Sequence, residues 1–187
     1  MPAIFAESLA TPLLVVHTVL AAAAIGAATH AALWLRRHVR DGARVRAVRR
    51  FGVITASLMA ATFAVGLVIY PTYRTRVRHE FLDNPAAIAA TLTATRAARP
   101  TSEPATPDEV TAAIERGARI ARWFDVKEYL ALIGLLAALA LALILRAWNA
   151  DAARALGSVV IGLALVVALC GWLTAIIGVV TASVRAV

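Results

Sequence analysis

Four stretches of this chain carry no Asp, Glu, Lys or Arg: residues 13–35, 51–73, 129–145 and 155–184. A membrane-crossing helix needs about 20 apolar residues. Three of the runs meet that length outright. The run 129–145 is short, but Lys127 and Arg146 flank it and can snorkel to the interface. Lipid offers no partner to backbone N–H and C=O groups, so such runs take the helical form. The pattern predicts an all-α integral membrane protein. Its single domain, 1–187, is a four-transmembrane-helix bundle with spans over about 10–36, 51–73, 127–147 and 156–184. No Lys or Arg precedes the first run, and the run exceeds a signal-peptide core, so it is expected to stay as a span.

The connections between the runs differ in length. The first and last are short, which makes spans one and two antiparallel neighbours, and likewise spans three and four. The extramembrane loop 74–126 is too long for a plain turn and is expected to be partly helical. After Tyr70-Pro71, the apolar residues Tyr73, Val77 and Phe81 recur every four positions, while Arg74 and Arg78 share another face. This reads as a helical extension of span two, kinked or restarted at Pro71. Asn84-Pro85 suits the N-cap and first turn of a helix over AAIAATLTATRAA. Thr106-Pro107-Asp108-Glu109 is a capping box with proline at the first helical position. The helix it opens has a stripe of Val110, Ala113, Ile114, Gly117, Ile120 and Phe124, expected to lie on the membrane surface and lead into span three.

Charge adds sidedness. Net charge is +8, but it is unevenly placed. Seven arginines (36, 37, 40, 44, 46, 49 and 50) lie between spans one and two, against Asp41 alone. The last loop has Arg146 and Arg154 against Asp151, and the long loop is nearly balanced. The positive-inside rule then puts the first and third loops in the cytoplasm. The long loop and both termini face the periplasm, for a multi-pass protein of a bacterial inner membrane. The arginines are expected to meet anionic lipid headgroups. Nucleic acid is not an expected partner, because no aromatic pattern or fold signal accompanies the basic residues. Cys170 is the single cysteine, so neither an internal disulfide nor a CxxC site is possible.

Small residues form stripes within the spans, and such stripes mark close helix contacts. In span four the stripe is Ala164, Ala168, Gly171, Ala175, Gly178 and Ala182. In span one it is Ala22, Gly26 and His30, with Ala21, Ala24 and Ala28 beside His17. Imidazoles are costly in lipid and ordinarily face protein, cofactor or water. Thirteen residues separate His17 and His30, which places them about 20 Å apart along the helix and about 140° apart around it. Three readings stay open for them: a hydrogen bond to a neighbouring helix, axial ligation of a haem b, or a proton or quinol site. Two histidines on one span resemble the b-type cytochromes, which implies haem. However, spans two to four contain no histidine, which leaves Met59, a five-coordinate iron or another subunit as the second ligand. His17 is the better placed, since Arg74, Arg76 and Arg78 lie on its side and could hold propionates. No histidine pair has metal-ligand spacing, and no catalytic motif is present.

Where spans two and three leave the membrane, YPTYRTRVRHE and RWFDVKEY face each other. Tyr70, Tyr73, Trp123 and Tyr129 suit an interfacial belt. Arg74 and Arg78 are expected to pair with Asp125 and Glu128, bringing the ends of the loop together and presenting its helices to a partner. The layout, with LLVVHTVLAAAAIGAATH opening the first span, resembles CopD-like small four-span bacterial inner-membrane proteins. That resemblance implies an electron-transport setting and transfers no site residues. The expectation is a non-catalytic accessory or structural subunit of a larger inner-membrane complex, respiratory or otherwise electron-transporting, in contact with lipid and other membrane subunits. The alternatives are a small b-type haem- or quinol-binding protein using His17, and a transporter or channel component.

Overall fold

Each uncharged run folds as helix, and α1 and α4 continue past both ends of their runs. The computed structural model describes residues 4–41, 45–98, 104–147 and 156–184. A 3-10 turn, Glu7–Leu9, leads into α1, Ala10–Asp41, and α2 follows as Val45–Thr72. A π-wound segment, Tyr73–Leu82, extends α2, and α3 spans Pro85–Ala97. The long α4 is Pro107–Ala147 and α5 is Gly157–Val184. No strand occurs among the described residues. Four helices are long and apolar enough to cross a membrane, so the chain is an all-α, multi-pass bundle.

The four spans close into a ring. α1 packs on α2 and α5, and α4 packs on the same two helices from the other side. Outward positions carry bulk for lipid, among them Val19, Leu67, Leu143 and Val179, all exposed. Inward positions are small or tightly packed: Ala28, Leu35, Val48, Ala56, Ala138, Leu141, Val160 and Ala164 form the bundle core. Small side chains let the helix backbones approach, so that dispersion, rather than the hydrophobic effect, holds them together. Gly134 shows how close the approach is. A Cβ there would lie 3.0 Å from Cys170 Cβ and 3.2 Å from Met59 Cε. At one end of this core, Arg49 Nε donates to the Leu145 carbonyl at 3.0 Å. That carbonyl is in the last turn of α4, where no intrahelical donor remains.

α4 is 41 residues long, about 60 Å, or twice the thickness of a hydrocarbon core. Its first half therefore stands outside the span. The apolar stripe expected on the membrane surface is covered by the chain itself. Gly117, Ile120 and Ala121 are buried, and Ile120 and Ala121 join Tyr73, Val77 and Leu82 in a second core. α3 closes over it, with Ile88 Cδ1 2.7 Å from where a Gly117 Cβ would stand. Arg116, Arg119 and Arg122 stay exposed on the opposite face.

Pro71 neither breaks nor restarts the helix; it lies inside α2. It removes one backbone donor, and the winding widens directly after it. Asp83 N–H bonds the Arg78 carbonyl at 2.8 Å, the i→i+5 step of a π-helix. The wider turn changes which residues align. Tyr73, Val77 and Leu82 are the buried set, and Phe81, expected on that face, is only half-buried. Both caps form as the residues suggest. Asn84 Oδ1 accepts from Ala87 N–H at 3.2 Å, and Glu109 Oε2 accepts from Thr106 N–H at 2.9 Å.

Gly134→Leu should push α4 off α5 and α2 and lower stability by about 1–3 kcal/mol. Gly162→Leu makes the same chemical change on α5 where nothing lies within 4 Å of the added Cβ, and should be neutral. Denaturant titration of helicity in mixed micelles compares them; equal losses would contradict the packing.

Candidate functional site

The two cores occupy different levels, and one set of polar side chains lies between them. His17, half-buried on α1, faces α2. Its Nδ1 is 3.0 Å from the Thr62 carbonyl oxygen. A carbonyl can only accept, so Nδ1 carries the proton and Nε2 keeps its lone pair. Gly66, one turn along α2, makes the room: a Cβ there would lie 3.2 Å from His17 Cε1. Thr62, Thr174 and Thr181 return their hydroxyls to carbonyls of their own helices, which satisfies them without outside partners.

Lys127 joins this layer. Lys127 is half-buried against α5, its Nζ 3.3 Å from the place a Gly178 Cβ would take. The same Nζ stands 5.0 Å from the Phe124 ring centroid, a cation–π geometry. Phe124 in turn stacks on Tyr73, with centroids 3.6 Å apart and planes 16° from parallel. His17 and Lys127 thus approach one layer from opposite sides of the ring, across glycines on α2 and α5. Its position beside the third run marked Lys127 only as a flanking residue. Nothing local distinguishes an inward lysine from an outward one.

Above this layer the rim is a set of ion pairs. Arg78 holds Asp125 with two bonds, one from Nη1 and one from Nη2 at 3.1 Å, and Arg78 Nε reaches Asp83 at 3.3 Å. The structure therefore brings Arg78 and Asp125 together across the two ends of the loop. Glu128, expected beside Arg74, makes no salt bridge with it or with Arg78 among the described residues. Arg74 is exposed, with no ion pair among the described residues. Arg76 bonds Glu7 Oε1 at 2.7 Å and Glu80 Oε1 at 2.9 Å, tying the N-terminal turn to the π segment. Arg96 pairs with Glu109, joining the end of α3 to the start of α4. With Arg76 and Arg78 committed to carboxylates, Arg74 alone of the three retains an open guanidinium for an outside anion.

His30 is placed quite differently. It is exposed, its Nδ1 donates to the Gly26 carbonyl of its own helix at 2.9 Å, and its ring stacks on Phe51 at 6.1 Å. His17 and His30 do not converge. Ala22 and Gly26, on the same face as His30, are also exposed, and nothing lies within 4 Å of a Cβ built on Gly26. No group of three or more metal-binding side chains occurs among the described residues. The chain matches no family model, no curated protein and no solved structure.

One prediction concerns pH. The Thr106 backbone N–H, and then Arg96, hold the Glu109 carboxyl below its ordinary range. A depressed folded value means that the lock is complete above the ordinary carboxylate value and is lost as pH falls through the lowered one. Acidification through that window should release α3 from the start of α4. Hydrogen exchange over residues 85–97 should rise at low pH in wild type. Glu109→Gln should remove most of that step, and an unchanged step would assign it to another group.

Proposed function

We propose that the protein is a non-catalytic subunit of a larger inner-membrane assembly. The observation that carries this reading is the outward face of Ala22, Gly26 and His30. His30 lies about 9 Å from the middle of the first uncharged run, well within hydrocarbon. A histidine at that depth ordinarily faces protein or water. Here two small residues precede it at one-turn steps, leaving a shallow track along α1 that would admit a second helix backbone. A partner helix seated on it would cover the imidazole and donate a hydrogen bond to Nε2.

The platform outside the span supports the same reading. It has its own core, it is tied by the Arg78–Asp125, Arg76–Glu7 and Arg96–Glu109 pairs, and it presents Arg74, Trp123 and Tyr129 at its base. In this reading the arginine-rich connection is cytoplasmic and both termini are periplasmic, from the charge asymmetry of the short loops. An electron-transport setting rests on the resemblance to CopD-like proteins alone.

A second reading, a haem b or quinol site at His17, is favoured by one detail. The Nδ1–H bond to Thr62 leaves Nε2 basic, which suits an iron ligand or an acceptor for a quinol hydroxyl. A reduced-minus-oxidised spectrum of the purified protein tests the haem form, and His17→Ala should abolish any band.

Gly26→Leu separates the subunit reading from a lone bundle. The site is open, so the variant should fold and insert as wild type does. In native gels of gently solubilised membranes, wild type should migrate in an assembly well above the mass of one chain, and the variant should shift to the free form. Identical migration would remove the α1 face from consideration, and free migration of wild type would remove the subunit reading.

A further inference from the structure

At the arginine-rich end of the bundle, α2 and Trp34 of α1 form an open groove of about 470 Å³, lined by Trp34, Arg46, Ala47, Arg50, Phe51 and Ile54. We propose that it is a binding site for an anionic membrane phospholipid, with the phosphate between Arg46 and Arg50 and the glycerol and first acyl carbons against Trp34, Phe51 and Ile54.

The first argument is charge. Arg46 and Arg50 are both exposed, and neither has a hydrogen bond or ion pair among the described residues. They are four residues apart on one helix, so their guanidinium groups project from one face, and two such forks suit the oxygens of a phosphate. They also stand in the first turns of α2, which begins at Val45. There the helix dipole favours an anion. Their neighbour Arg49 is different: it is used inside the protein, on the Leu145 carbonyl.

The second argument is the gradient along the groove. From Arg46 to Ile54 is about 12 Å of helix. Over that distance the lining passes from two cations, through an indole, to a phenyl ring and an isoleucine inside the uncharged run. A phospholipid changes from phosphate to hydrocarbon over a similar depth. Trp34 and Phe51 meet edge to face, with centroids 4.9 Å apart, which makes a fixed wall. A free phosphate would gain the arginines and leave that wall uncovered. An acidic peptide would have to enter hydrocarbon to reach Phe51 and Ile54. The lipid matches both ends. The proposal does not depend on the subunit reading, because the groove is complete within one chain.

The test uses Trp34 as its own reporter. In a full-length chain carrying Trp123→Phe, Trp148→Phe and Trp172→Phe, Trp34 fluorescence is read in phosphatidylcholine vesicles. These contain a minor fraction of either brominated-acyl phosphatidylglycerol or brominated-acyl phosphatidylcholine. Phosphatidylglycerol should quench as though enriched roughly tenfold at the site. Arg46→Gln with Arg50→Gln should erase the preference, while Arg46→Lys with Arg50→Lys should retain part of it. The control is Arg36→Gln with Arg37→Gln, which removes two exposed arginines at the same end without touching the groove, and it should leave the preference in place. Equal quenching by the two lipids would overturn the proposal. So would an equal loss in the control, which would mean surface charge only, or displacement by millimolar inorganic phosphate, which would mean a general anion site. If the triple-tryptophan variant does not fold, native mass spectrometry of the wild-type chain from mixed micelles decides. Retained phosphatidylglycerol, lost in the Arg46→Gln, Arg50→Gln variant, supports the site, and no retained lipid overturns it.

Discussion

The backbone ladder of α4 is unbroken for 41 residues, and α2, α5, the π segment and α3 are all positioned against it. In the membrane it supports α2 and α5. Outside, the π segment and α3 pack on its first half. An uninterrupted helix transmits orientation, so the face that meets α3 and the face that meets α5 are set relative to each other. That continuity joins the packed loop to the bundle. It also places Asp125 within reach of Arg78, although both partners are partly exposed. The pair does not hold the platform up alone; the second core does, and the pair sets its register.

Lipid imposes a strict rule on polar groups, and the chain obeys it in two ways. Thr62, Thr174 and Thr181 bond the carbonyls of their own helices, and His17 bonds a carbonyl of its neighbour. Lys127 rests its charge on an aromatic face. The Thr55 and Thr72 hydroxyls are buried without a hydrogen-bond partner among the described residues, and His30 turns its ring outward from the ring of helices. The outward imidazole orients the functional reading.

Much of this was legible in the residues. The uncharged runs mark the spans because charge is excluded from hydrocarbon whatever the tertiary structure. Asn84, Thr106 and Glu109 mark helix starts because capping is decided within four residues. Arg78 and Asp125 could be matched because their segments leave the membrane side by side. The rest depended on contacts far apart in sequence. Glu7 lies 69 residues from Arg76, and no local pattern links them. The direction of Lys127 depends on the absence of a side chain at Gly178. The change from Phe81 to Leu82 on the buried face follows from a winding that periodicity arguments, built on the α-helix, do not anticipate.

The π-wound segment also bears on how the chain can change in length. A π turn holds one more residue than an α turn over the same hydrogen-bonded loop. Removing one residue between Tyr73 and Leu82 would let the segment tighten to α winding while Asn84 still begins α3 near its present place. The same deletion in α4 would rotate everything beyond it by about 100°, carrying Asp125 away from Arg78 and Gly134 away from Cys170. The two sides of the rim therefore differ in their tolerance of insertions and deletions. One has slack wound into it, and the other has none.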